Sequence, residues 1–193
     1  MIERQGTFVP YAYTRCESID VGRYVIEKGF LTTPTGPSPY TIVRMRPFVC
    51  VLAVVNAGTC DARVLLVRQY RYAVDDWQLE PPAGGVDDGE LPADAATREL
   101  REESGFVVDE LVALGRVYPS GGSTSEVAYL FAARCAGERV RTDWDKGEQI
   151  ETVLVSRAQM EELLNGAYEH AVTYAVWVRF ASLGLLDAWM PLA

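Results

Sequence analysis

Apolar and polar positions along this chain separate a β-prone start from a longer, mixed remainder. Over residues 1 to 46 the runs Tyr24-Val25-Ile26 and Tyr40-Thr41-Ile42-Val43 predict strands. The segment between them, Thr33-Pro34-Thr35-Gly36-Pro37-Ser38-Pro39, is rich in turn formers and predicts a connecting loop. Phe48 to Val55 is almost continuously apolar, as expected of a strand buried on both faces. Asn56-Ala57-Gly58-Thr59 predicts a turn and Val64 to Val67 a second strand. That strand runs into Arg68-Gln69-Tyr70-Arg71-Tyr72, where polar and aromatic residues alternate. Trp77 to Glu80 predicts a short strand, stopped by Pro81-Pro82.

The clearest helix covers Pro92 to Ser104. Proline is tolerated in a first turn, the interior is rich in alanine and leucine, and Gly105 can close it. Ala93, Ala96 and Leu100 supply a stripe expected to bury against a sheet. Strands are expected near Leu111 to Tyr118, Glu126 to Ala133 and Ile150 to Val155. Ser156 and Gln159 read as the capping box of a helix with Met160, Leu163 and Leu164 on its apolar face, ended by Asn165-Gly166. One last amphipathic helix is expected over His170 to Leu186, with His170 a surface or packing residue. Strands and helices mixed without strict βαβ alternation predict an α/β sandwich rather than a doubly wound sheet.

At 193 residues the prior is one domain with a small extension. The 27 acids exceed the 18 bases, a net charge of -9. This argues against a nucleic-acid partner, which needs a basic face. Taken alone, it also argues against a phosphate-rich ligand. The single histidine rules out multi-histidine metal sites. Cys16, Cys50, Cys60 and Cys135 form no C-x-x-C pair and read as free thiols of a reducing compartment. Glu3, Arg4 and Gln5 stand where a signal peptide needs an apolar segment, and Ala171 to Leu186 is interrupted by Arg179 and too short for a bilayer. A cytoplasmic protein without membrane partners is expected.

The acidity has an address. Residues 84–106 hold seven acids against two arginines, more than half of the net charge. On the predicted helix Glu99, Glu102 and Glu103 share one face, and Arg98 stands four residues before Glu102. Like charges at this spacing repel, so most exposed helices interleave lysine. Clustered oxygen ligands are what Mg²⁺ or Mn²⁺ prefers. A bare E-x-x-E-E is usually a solvated face. Here it sits inside G-x5-E-x7-R-E-U-x-E-E-x-G-U, with U bulky and apolar, met at Gly84, Glu90, Arg98, Glu99, Leu100, Glu102, Glu103, Gly105 and Phe106. Its seven exactly specified positions coincide by chance with a probability on the order of 10⁻⁸ to 10⁻⁹ per start point, which decides against the solvated face.

This pattern resembles the Nudix box, the signature of the Nudix hydrolase family. Phe106 departs from it slightly, since an aliphatic residue is commoner there. The resemblance implies a Nudix-type α/β/α sandwich with a mixed sheet, and Mg²⁺-dependent hydrolysis of a nucleoside diphosphate linked to a further group. It implies metal binding by Glu99, Glu102, Glu103 and the Ala83 carbonyl, with Arg98 orienting Glu102. Metal ions neutralise developing charge and generate the nucleophile in such chemistry, so no covalent residue is needed.

Further likeness surrounds the box. Gln69-Tyr70-Arg71 and Leu79-Glu80-Pro81-Pro82-Ala83-Gly84 are similar to the strand and approach of the ADP-ribose pyrophosphatase branch, with Pro81 in place of an apolar residue. That likeness implies that Arg71 holds the substrate diphosphate, through a planar fork suited to two oxygens, and that Glu80 lies beside it. Tyr118 to Glu126 resembles the branch's substrate-selecting loop, but Pro119 precedes Ser120 instead of following it. An acidic residue after the later strands is implied as the base for water: Glu148, then Asp145, with Glu102 the alternative. Residues 1–46 match the small N-terminal β-domain of these enzymes and 47–193 the hydrolase domain. The β-domain is expected to form a homodimer and to lend Phe30, Tyr40, Arg44 and Arg46 to the substrate. The expected reaction converts ADP-ribose into AMP and ribose 5-phosphate. A GDP-mannose, other sugar-nucleotide or dinucleotide pyrophosphatase is the alternative, followed by a non-catalytic sensor.

Overall fold

A computed structural model of the chain describes residues 10–140, 142, 149–166 and 168–192. They form two compact units, the described part of Met1–Arg46 with Ser120–Glu126, and Pro47–Pro119 with Val127–Ala193.

In the first unit, β1 (Ala12–Asp20), β2 (Tyr24–Thr33) and β3 (Gly36–Met45) make an antiparallel sheet in that order. The loop expected over Thr33 to Pro39 is shorter than its composition suggests. Thr33 pairs with Gly36, so only Pro34 and Thr35 turn, and Pro37 and Pro39 lie inside β3. Two prolines fit because the ladder there loses nothing. Val43, of the same parity, sends its N–H away from β2 to the Ser123 carbonyl at 2.9 Å. Pro37 and Pro39 therefore turn their hydrogen-free nitrogens to that same outer edge. The 120–126 loop follows this edge, with the Ser125 N–H donating to the Val43 carbonyl at 3.0 Å and the Tyr40 hydroxyl to the Gly122 carbonyl at 2.7 Å.

The second unit holds β4 (Phe48–Val55), β5 (Arg63–Arg71), β6 (Asp76–Glu80), β7 (Ala83–Gly85), α1 (Pro92–Ser104), β8 (Phe106–Val117), β9 (Ala128–Arg139), β10 (Ile150–Val155), α2 (Arg157–Asn165), α3 (Ala171–Ser182) and α4 (Leu185–Trp189). Its strands run in the order β10-β5-β4-β9-β8, with β6 paired to β5 and β7 to β4. Only β4 and β9 pair in parallel, so the sheet is mixed. The continuous apolar run of β4 has a simple reason. Val49, Val51, Ala53 and Val55 pack with Ala95, Ala96 and Leu100 of α1. Cys50, Leu52 and Val54 face the opposite core, with Met160, Val176, Phe180 and Trp189. Alternate residues feed two helical layers, giving the α/β/α sandwich.

Some boundaries move. The buried stripe of α1 runs through Ala95, Ala96 and Leu100, whereas Ala93 of the first turn is exposed. The strands β8 and β9 are longer than predicted, and β7 is an added three-residue strand. The capping box of α2 forms with both reciprocal bonds. The last predicted helix is two. Gly184, at φ 73°, turns the chain, and its N–H returns to the Ala181 carbonyl at 3.0 Å. The break lets Trp189 of α4 pack edge-on against Phe180 of α3, their centroids 5.6 Å apart. Among the described residues no helix is long and apolar enough to cross a membrane.

Candidate active site

The site grows from a split in the sheet. β4 pairs with β5 only over Ala53–Val55, opposite Arg63–Leu65. Beyond that the strands take separate partners: Val67 of β5 pairs with Glu80, and Cys50 of β4 pairs with Ala83. Pro81-Pro82 carries the chain from one to the other, and the Pro82 carbonyl accepts from the Val51 N–H at 2.9 Å. The helix α1 reaches this crossing with its acidic face. Glu103, only 5% exposed, accepts the Ala83 N–H through Oε2 at 3.1 Å. The Glu99 carboxylate lies directly over Gly84, in space that any Cβ there would fill. At the end of the helix Gly105 adopts φ 75°, and a side chain there would meet the Val140 carbonyl. Both box glycines are thus required by neighbours, one by a carboxylate and one by backbone.

Arg98 gathers the carboxylates. Its Nε donates to Glu90 Oε1 at 2.9 Å, and its Nη2 to Glu90 Oε2 at 2.9 Å, a bidentate fork. Nη1 donates to Glu99 at 2.7 Å and to Glu102 at 3.1 Å. Nη2 also reaches the Gly85 carbonyl at 2.9 Å. One guanidinium therefore binds three glutamates and the strand before the helix, offsetting the repulsion that their spacing creates.

Arg71 ends β5 and is paired through Nε to Glu80 Oε1 at 2.6 Å. Glu80 is 2% exposed, and its other oxygen lies 3.1 Å from His170 Nε2. His170 is not on the last helix but caps α3, and it is half-buried within this polar cluster. Burial, with Arg71 nearby, holds its imidazole below the ordinary histidine range, against the opposite pull of Glu80. The Cys50 thiol is pushed far up, first by its own burial and then by the Glu80 and Glu103 carboxylates. It is an inert packing group, not a nucleophile.

A model of the NUDIX domain matches residues 45–177, a stretch holding the split sheet, the glutamate helix and Arg71. The chain belongs to the Nudix hydrolase family. An ADP-ribose pyrophosphatase of Bacillus subtilis (strain 168) is 29% identical over 138 residues, covering 70% of this chain and 72% of that protein. A GDP-mannose pyrophosphatase of Yersinia enterocolitica is 30% identical over 109 residues, covering 54% of this chain and 56% of that one. A crystal structure of an ADP compounds hydrolase shares the fold, with a TM-score of 0.71 at 23% identity, over 93% of this chain and all (100%) of that one.

The Nudix-box residues Glu99, Glu102, Glu103, Arg98 and Glu90 thus come together with the Ala83–Gly85 strand. Arg44 and Arg46 belong to the other compact unit. There Arg44 is engaged with the buried Glu27, at 2.8 Å through Nη2, while Arg15 holds the second oxygen at 3.1 Å. Arg44 first, then Arg15, keeps the Glu27 carboxyl below its usual range. Phe30 is 42% exposed on β2 of that unit. Glu148 and Asp145 lie outside the described residues. His170 is the residue that helical patterning misplaces; its being the only histidine was the one signal available.

The donor chemistry fits a hard cation. Every side chain offered by the box is a carboxylate, and the neighbouring donors are backbone carbonyls. Among the described residues no three acidic, histidine or cysteine side chains make a ready-made cage. Mg²⁺ needs no complete all-protein cage, since it keeps several waters and takes substrate phosphate oxygens beside carboxylates.

The Arg98 fork has a consequence for acid stability. It and the Asp87 N–H hold the Glu90 carboxyl at about 2, against 4.5 for the free group. A depressed carboxyl stabilises the fold above its unfolded value and loses that contribution as pH falls through the folded one. Wild type should therefore exceed Glu90→Gln in urea midpoint at pH 6, and the two curves should draw together between about pH 4.5 and 2. A lead undiminished at pH 2 would contradict the fork's electrostatic role.

Proposed function

We propose that this protein is a Mg²⁺-dependent pyrophosphatase that hydrolyses ADP-ribose to AMP and ribose 5-phosphate, or acts on a closely related nucleoside diphosphate sugar. The observation that carries this reading is a single unit holding both an Arg98-organised carboxylate face and an arginine, Arg71, bound only through its Nε. Among the described residues the terminal nitrogens of Arg71 have no protein acceptor, and the side chain is 41% exposed. Two parallel N–H groups suit two phosphate oxygens. The similarity to an ADP-ribose pyrophosphatase and to an ADP compounds hydrolase supports the choice of substrate.

Glu99, Glu102, Glu103 and the Ala83 carbonyl are the residues that would hold Mg²⁺, with Mn²⁺ a workable substitute. Bound there, the cation supplies charge neutralisation for the diphosphate and acidifies water. Arg98 fixes the carboxylates before substrate arrives, so no reorganisation is required at the moment of reaction. Arg71 grips the diphosphate and Glu80 sets the pose of Arg71. The oxygen of water bonds to phosphorus as the bridging P–O bond breaks. Glu148 is proposed to take the proton from that water, with Asp145 second and Glu102 the alternative within the box.

A second reading keeps the chemistry and changes the sugar nucleotide. The likeness to a GDP-mannose pyrophosphatase favours it, as does Pro119 standing before Ser120 in the loop expected to choose substrate. The exposed free thiols Cys16 and Cys60 support a reducing, cytoplasmic location. A homodimer built on the three-stranded unit completes the proposal, and light scattering should return twice the chain mass of 21.4 kDa.

One assay tests the function. A panel of ADP-ribose, GDP-mannose, other sugar nucleotides and dinucleotides should show turnover that depends on Mg²⁺ and ceases with chelator, with ADP-ribose the best substrate. Preference for GDP-mannose would select the second reading. No turnover of any diphosphate at saturating metal would sink both.

A further inference from the structure

Behind Arg71 lies a chain of buried polar groups that ends on the only histidine. Glu80 Oε1 accepts from Arg71 Nε at 2.6 Å, and Glu80 Oε2 sits 3.1 Å from His170 Nε2. On the other side of the ring, Nδ1 is 2.7 Å from Thr173 Oγ1. Thr173 is fully buried, and its oxygen lies 3.0 Å from the Tyr168 hydroxyl, whose single proton goes to a carbonyl instead. That hydroxyl in turn reaches the Leu79 carbonyl, beside Glu80. An ionised carboxylate can only accept, so the ring proton belongs on Nε2, and Nδ1 accepts from Thr173. Burial lowers the basicity of the imidazole, which favours a neutral ring at pH 7.

The geometry of the Arg71–Glu80 pair is unusual in one respect. Arginine and carboxylate commonly pair through a fork of two parallel bonds. Here the pair makes a single Nε bond, and the second carboxylate oxygen lies 3.1 Å from His170 Nε2. Without that contact, Oε2 could rotate to an Arg71 terminal nitrogen and close the fork. One of the two groups meant for phosphate would then be spent on Glu80.

We propose that His170 is a positioning residue: by occupying the second oxygen of Glu80 it keeps both terminal nitrogens of Arg71 directed to the substrate diphosphate. The proposal rests on the reading of Arg71 as the diphosphate ligand. Thr173 extends the device, since its hydroxyl can donate to Nδ1 from behind the ring.

A double-mutant cycle with ADP-ribose as substrate tests it. His170→Ala should raise KM about tenfold and leave kcat within about threefold, because binding is weakened while the metal-holding carboxylates are untouched. His170→Gln, whose amide can still donate to Glu80, should recover most of the KM. Arg71→Ala should raise KM further, and adding His170→Ala to it should change nothing more, since the two act on one interaction. Additive effects, or an unchanged KM in His170→Ala, would overturn the role of His170 while leaving Arg71 in place. An unchanged KM in Arg71→Ala would instead remove Arg71 from the diphosphate, and this proposal with it. Nitrogen-15 spectra of the single histidine in the wild-type enzyme give a readout that needs no variant to fold. A neutral ring protonated on Nε2, whose signals shift on addition of ADP, is expected at pH 7. A ring protonated on Nδ1, or signals indifferent to saturating ADP, would overturn the proposal.

Discussion

Replacing Glu103 by glutamine is expected to lower kcat about a thousandfold, roughly 4 kcal/mol of barrier, with little change in thermal midpoint. The isosteric amide keeps an oxygen to accept the Ala83 N–H now bound at 3.1 Å, so the join between α1 and β7 survives. What disappears is a negative charge at a nearly buried position proposed to hold the cation. The loss should appear in kcat, and raising Mg²⁺ should not restore it. A variant with near wild-type kcat would take Glu103 out of the metal site. A variant that instead unfolds would show that the charge serves the helix–strand join.

The second large effect is expected at a residue with no side chain. Gly84→Ala places a methyl group where the Glu99 carboxylate now lies. Gly84 has no left-handed φ, so the backbone tolerates alanine, and the stiffer unfolded chain contributes about 0.4–1 kcal/mol of stability. The carboxylate, the far end of a flexible side chain, can yield at small cost to the fold. It cannot yield without leaving its place beside Arg98 Nη1, 2.7 Å away. Activity should need about 10- to 100-fold more Mg²⁺, with the thermal midpoint nearly unchanged. An unaltered Mg²⁺ requirement would mean that Glu99 is not a ligand. A collapse of stability would mean that the glycine serves packing alone.

Much of the catalytic unit is legible in the linear pattern because its signals are local. Helix spacing alone puts Glu99, Glu102 and Glu103 on one face and Arg98 within reach of Glu102. The capping box at Ser156 and the doubly buried run of β4 are equally local. Elements whose form depends on distant partners are misjudged. The prolines of β3 read as a loop, since nothing nearby announces an edge strand. The break at Gly184 hides inside a largely apolar stretch, since the contact of Trp189 with Phe180 that it allows is tertiary.

Taken by itself, then, the sequence determined the chemistry on offer: a cluster of oxygen donors, Arg98 within reach of it, and a further arginine, Arg71, in an alternating strand. These follow from residue type and helical period. Only the tertiary structure decided how the two charged groups are tied together. Where β4 and β5 diverge, Glu80 pairs with Val67 of β5 and Ala83, three residues on, with Cys50 of β4. The fold also brings His170, 90 residues later in the chain, onto the carboxylate of Glu80. No local period encodes such a contact, because it is created by strands choosing different partners and by a helix packed across them.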